Sequence, residues 1–169
     1  MTATHQGKSW QIGIEDQALV ARDPRGQEAW RIGQRFAAVV GIVPGLPYEV
    51  PMVRVAHLNG VSGRGFLELL DIDATGSQRG QAAFPVRGIS VLGHGMNADG
   101  LTAIAIRLDA SIQRDYVMAY DQRGTHMWAW QLPERPRPDP VGVWVEPARV
   151  VVFLDTDRVV VLPIAKRVE

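Results

Sequence analysis

One turn recurs along this chain. Asp23-Pro24-Arg25-Gly26, Asp73-Ala74-Thr75-Gly76 and Asp121-Gln122-Arg123-Gly124 share the form Asp-x-x-Gly, and each stands between apolar runs. The aspartates are 50 and 48 residues apart (73 − 23 and 121 − 73). In such a turn the Asp side chain accepts hydrogen bonds from backbone N–H groups ahead of it, and the glycine takes a positive φ without strain. An aromatic follows each turn: Trp30, Phe84 and Trp128. A chain that reverses in this way at near-constant intervals, between short runs rich in valine, builds one small sheet after another.

The hairpins ahead of the turns sharpen the period. They begin near Trp10, Met52, Thr102 and Arg149, and the last lacks a following Asp-x-x-Gly, having Pro163-Ile164-Ala165-Lys166 instead. About four strands per 40–50 residues is the spacing of a β-propeller blade, in which neighbouring sheets bury one another's faces. No segment keeps a 3.6-residue apolar period over three turns. The expectation is therefore an all-β protein: a small β-propeller or propeller-like arc of about four blade units, with a β-sandwich as the alternative. Residues 1–8 read as a disordered tail, and 10–165 as a single domain. Counting runs gives about fourteen strands, the first unit lacking its innermost strand and the last its outermost. Open strand edges of that kind call for a covering partner.

The pattern Ala-x-Asp-x-x-Gly-x-x-x-Trp, at Ala21, Asp23, Gly26 and Trp30 and again at Ala119, Asp121, Gly124 and Trp128, resembles the repeat of the PQQ-like (quinoprotein-type) β-propellers. The middle copy departs from it: Asp71 replaces the small residue, and four extra residues separate Gly76 from Phe84, which takes the Trp place. The resemblance implies that Asp23, Gly26, Trp30, Asp73, Gly76, Phe84, Asp121, Gly124 and Trp128 serve blade architecture. Quinoprotein dehydrogenases of that class are several times longer, and their cofactor pocket uses an adjacent cysteine pair. This chain of 169 residues has no cysteine, so no quinone cofactor is expected.

Composition removes further classes. Eighteen basic and eighteen acidic side chains cancel, which gives no electrostatic reason to expect a nucleic acid partner. No run approaches the ~18 apolar residues of a membrane span, so the chain reads as cytoplasmic. His57, His94 and His126 fall in three different units without metal-ligand spacing, and His5 lies in the tail. His94, between Gly93 and Gly95, is the best candidate for a functional loop. Asp71 and Asp73, like Asp155 and Asp157, read as turn formers. Trp128 and Trp130 share one face of their strand, so one can pack while the other anchors an interface. No catalytic, cofactor or metal residue is predicted. The expected function is a non-enzymatic scaffold, a subunit of a larger assembly, for instance a bacterial one, that binds a protein partner or self-associates through Trp130, Trp144 and His94. The alternative is a small-ligand or metal-binding enzyme domain with a site at the ring mouth, near His57 and His94.

Overall fold

Sheets form in chain order and pack in chain order. The computed structural model describes residues 1–5, 8–33, 35–43, 52–61, 64–86, 89–108, 114–133 and 142–164. Sheet 1 holds β1 (Thr2–His5), β2 (Lys8–Glu15), β3 (Ala18–Arg22) and β4 (Glu28–Ile32). Sheet 2 holds β5 (Phe36–Val43), β6 (Met52–Val61), β7 (Arg64–Ile72) and β8 (Gln78–Val86). Sheet 3 holds β9 (Ile89–Met96), β10 (Thr102–Leu108), β11 (Asp115–Tyr120) and β12 (His126–Gln131). Sheet 4 has three strands, β13 (Gly142–Val145), β14 (Arg149–Phe153) and β15 (Val159–Pro163). All are antiparallel meanders. The fold is all-β and propeller-like, as expected.

Three apolar layers hold the sheets together. Ile12, Leu19 and Ala21 of sheet 1 pack on Phe36, Val53, Val55 and Leu70 of sheet 2. The other face of sheet 2, with Ala38, Ala56, Leu67 and Leu69, packs on Ile104, Ile106, Met118 and Tyr120 of sheet 3. Ala103, Ala105 and Val117 then meet Val145, Val150, Val152 and Leu162 of sheet 4. Strand β10 is therefore apolar and buried on both faces from Thr102 to Ile106, as a strand between two neighbouring sheets requires. Among the described residues no core cluster joins sheets 1 and 4, and the four blades form an open arc.

The repeated turn is built as the sequence implies. Asp23 Oδ1 accepts the N–H groups of Arg25 and Gln27 at 2.9 Å each, and Gly26 has φ +81°. Asp73 does the same for Thr75 and Ser77, and Asp121 for Arg123 and Thr125. A fourth copy escaped the reading because it starts with Asn: Asn97 Oδ1 accepts from Asp99 and Leu101 at 3.0 Å, with Gly100 at φ +83°. It joins the first two strands of its sheet, whereas the other three join the third and fourth. Trp30 fills a gap between blades, its ring lying over Gly76 and its Nε1 donating to the Ala74 carbonyl at 2.8 Å. The backbone of Phe84 pairs with Leu67, and its side chain lies outside the described residues.

Two expectations about the ends change. The tail is partly a strand: Thr2–His5 pairs with β2, and Met1 and Ile12 exchange hydrogen bonds of 2.7 and 2.9 Å. Sheet 1 thus has its innermost strand, and the described strands number fifteen rather than fourteen. The shortfall falls on sheet 4, which lacks an outermost strand among the described residues.

Candidate functional site

The turns give the first three sheets a common frame, and in that frame sheet 2 is the odd one. Arg22, Ile72 and Tyr120 each precede a turn aspartate. One residue earlier, paired across to the second strand of each sheet, stand Ala21–Ile12, Asp71–Arg54 and Ala119–Ala103. Three residues further back stand Ala18–Glu15, Glu68–His57 and Tyr116–Ile106. Sheet 2 thus carries two buried polar pairs at places that sheet 3 fills with apolar or aromatic side chains. The blade fold does not demand either pair.

His57 and Glu68 face sheet 1. The imidazole Nδ1 lies 2.8 Å from Glu68 Oε2, both side chains are buried, and the His57 ring sits 5.2 Å from the Phe36 ring at 43°. Val55 and Phe36 of the same layer supply apolar walls. In the neutral imidazole, a carboxylate at Nδ1 favours the tautomer with the proton on that nitrogen, which leaves the lone pair on Nε2. Such an imidazole can take a proton from a bound molecule, accept a hydrogen bond, or ligate a metal. The spacing that makes the pair was missed in the sequence, since His57 and Glu68 are eleven residues apart on two strands of one hairpin. Register across the β6–β7 hairpin, in which Val61 pairs with Arg64, is the signal that would find it.

Arg54 and Asp71 face sheet 3. Arg54 Nε and Nη2 donate to the two Asp71 oxygens at 2.8 Å each. The same guanidinium donates to the carbonyls of Gly100, Asp121 and Gln122 and to Thr102 Oγ1. It therefore ties both turns of sheet 3 to sheet 2. Here Asp71 departs from expectation: it forms no turn, and it replaces the small residue of the repeat because an arginine stands opposite it. Asp73 and Asp155 are turn formers as read, Asp155 Oδ1 accepting from Asp157 and Arg158.

The remaining histidines do not converge on His57. His94 belongs to strand β9, which runs through Met96, and not to a loop. It pairs across to Ile104 and so points to the sheet 2 side of sheet 3, whereas His57 points away, toward sheet 1. Burial holds the His94 imidazole pKa below the ordinary histidine value. Its strand is clamped, because Gly95 lies against the Val143 carbonyl of β13 and Gly41 of β5 lies against Met96. His126 is on the outermost strand β12, edge-on to Tyr120 at 5.6 Å. The site near His57 and His94 at a ring mouth is thus corrected: sheet 2 separates them. Among the described residues no three His, Asp or Glu side chains are placed to hold a metal. Of the tryptophans, Trp128 packs on the layer between sheets 3 and 4 while Trp130 is exposed, and Trp144 is exposed on β13.

No protein family and no curated protein matches the chain. Solved structures do. A chimera of apocarotenoid oxygenase and RPE65 superposes with a TM-score of 0.54 at 11% identity, covering 89% of this chain and 38% of that one. Two single-residue variants of the Synechocystis apocarotenoid oxygenase give TM-scores of 0.53 and 0.54 at 11% identity, covering 92% of this chain and 40% of theirs. The chain therefore spans about two fifths of the length of the structures it matches, and at this identity the likeness is one of fold. It bears directly on one expectation. The arc's neighbours in fold are enzymes, which overturns the reading of a non-enzymatic scaffold. No helix among the described residues is long and apolar enough to cross a membrane.

Proposed function

We propose that this chain is part of a propeller-type enzyme acting on a small, largely apolar molecule, with His57 as base and Glu68 as the carboxylate that orients it. One observation carries the reading: a buried, hydrogen-bonded imidazole–carboxylate pair stands in an apolar layer where the equivalent place in sheet 3 is Ile106–Tyr116. Burying such a pair costs desolvation that well-packed apolar residues would not, so its presence fits a chemical task. The enzyme fold of the neighbours supports the same reading. The blade repeat itself, with its quinoprotein-type resemblance, serves as the frame that holds the pair.

Oxygenases need activated dioxygen, and the described residues do not assemble a metal-ligand set on their own. No step through a metal is assigned to them. His57 contributes an acceptor at Nε2, and Phe36 and Val55 contribute an apolar surface.

The test uses an apocarotenoid, the substrate class of the oxygenase among the neighbours. Trp10 and Trp30 pack on the same layer as His57 and report on it through their emission. The expected result is saturable quenching by an apocarotenoid alcohol, whose hydroxyl can donate to Nε2, weakened about tenfold in His57→Leu through loss of that one hydrogen bond. No saturable quenching in the unaltered protein, or equal affinity in the variant, would overturn the proposal.

A further inference from the structure

The two ends of the arc differ in kind. At the first end, the outward face of sheet 1 is covered by a lattice of ion pairs, Arg22–Glu15 at 2.7 Å, Arg31–Glu15 at 3.3 Å and Arg31–Glu28 at 2.8 Å. Beneath them Ala18 and Val20 are buried. A polar outer face of this kind is how a stack of repeats meets water. At the other end, side chains alternate along sheet 4. Val150, Val152 and Leu162 point to sheet 3, and Trp144, Phe153, Val159 and Val161 point outward. Those four are 63%, 46%, 51% and 51% exposed. Register makes them one patch, since Trp144 pairs with Val151, Val151 with Val161, and Phe153 with Val159. Among the described residues, charge stands at the two ends of the patch, as the pairs Arg149–Glu146 and Arg158–Asp155 with exposed Asp157 beside the second.

We infer that the outward face of sheet 4 is a self-association surface, covered in solution by the same face of a second copy of this chain. The choice of occupant follows from the two faces. A head-to-tail contact would press the apolar patch onto the Glu15–Arg22–Arg31–Glu28 lattice and strip those ion pairs of water, with no polar group on the patch to replace it. Face-to-face pairing about a two-fold axis sets Trp144 and Phe153 against apolar side chains and keeps every ion pair at the rim, where water reaches it. Size sets the strength. The patch offers roughly 400 Å² of apolar surface per copy, within the range seen for functional patches on monomers. Two copies with their rims then reach about the 1,200 Å² lower bound of specific interfaces. The dimer is therefore weak, with a dissociation constant on the order of tens of micromolar.

Sedimentation velocity over a roughly 100-fold range of concentration spanning that constant tests this, on the unaltered chain and on Trp144→Glu and Val161→Lys. The expected result is a concentration-dependent monomer–dimer equilibrium that both substitutions shift at least tenfold toward monomer. Circular dichroism and the thermal midpoint show that each variant is folded, and Trp130→Glu, outside the patch, serves as the control that leaves the equilibrium unchanged. A chain monomeric throughout, a ladder of higher oligomers, or a dimer indifferent to both patch substitutions would overturn the inference. So would capture of only a foreign chain at this face.

Discussion

Arg54 grips both oxygens of Asp71 at 2.8 Å, with the guanidinium fully buried, and reaches on to three backbone carbonyls of the next sheet. The ion pair lies within sheet 2, its arginine ties that blade to sheet 3, and its energetics are asymmetric. Removing one partner leaves a buried charge without its counterion, which costs about 3–5 kcal/mol, whereas replacing both with apolar residues costs far less. Asp71→Ala is therefore expected to lower the urea midpoint severely. Arg54→Ile with Asp71→Ala, which installs the Ile12–Ala21 pair of sheet 1, is expected to recover more than half of that loss. The double variant stays below the unaltered protein, because Gly100, Asp121 and Gln122 lose a donor.

The blade tryptophans give a second contrast. Trp30 Nε1 has the Ala74 carbonyl of the next blade's turn at 2.8 Å, while Trp128 Nε1 is buried without an acceptor among the described residues. The last sheet has no Asp-x-x-Gly turn to offer one. Trp30→Phe is expected to cost about 1 kcal/mol more than Trp128→Phe, since a made hydrogen bond is lost in one case and an unmet donor removed in the other. Chemical denaturation of the two variants side by side measures the difference.

Glycine contacts predict a third pair of outcomes. A Cβ at Gly95 would lie 2.5 Å from the Val143 carbonyl oxygen, part of a backbone that cannot yield without shifting β13. At Gly41 the obstacle is the flexible end of Met96. Gly95→Ala is expected to cost about 1–3 kcal/mol by overpacking, and Gly41→Ala clearly less. Thermal unfolding ranks them.

Acid sensitivity has a sign fixed by two histidines. Burial holds the His94 and His126 pKa values below 6.5 in the fold, so below that value the unfolded chain binds more protons. Stability is therefore full above about pH 6.5 and falls as pH drops through the window beneath it. Asp73 adds nothing there. Burial opposes its charge, but hydrogen bonds from Thr75, Ser77 and Arg79 outweigh that and hold its carboxyl below 3.8, so its contribution is lost only in stronger acid. Urea midpoints at about pH 8 and about pH 5 are expected to differ, and His94→Gln is expected to narrow the gap.

These features divide by how far apart their causes lie in the chain. The turns at Asp23, Asp73 and Asp121 were legible because Asp-x-x-Gly chemistry is complete within five residues. The blades were legible because the turns recur. Asn97–Gly100 was missed only through the exchange of Asp for Asn, which accepts the same two N–H groups. The strand at Thr2–His5 has little apolar signal, and its order comes from pairing with Ser9–Gln11 and from Met1 bonding Ile12. His57–Glu68 and Arg54–Asp71 were illegible for a different reason. Each joins two strands across a hairpin, and a one-residue slip in register would separate both pairs. The glycines beside His94 read as loop residues, but the chain there is strand, and Gly95 lets the backbone of β13 approach.

The claim that sheet 2 carries a chemical pair, and not an architectural one, is tested most directly by exchanging it for apolar residues of similar size, His57→Leu with Glu68→Met. Stability and apocarotenoid quenching are measured on the same preparation. A pair kept for chemistry predicts an unchanged or raised thermal midpoint together with loss of saturable quenching. A thermal midpoint that falls steeply while quenching persists would contradict it, and would return His57 and Glu68 to the frame.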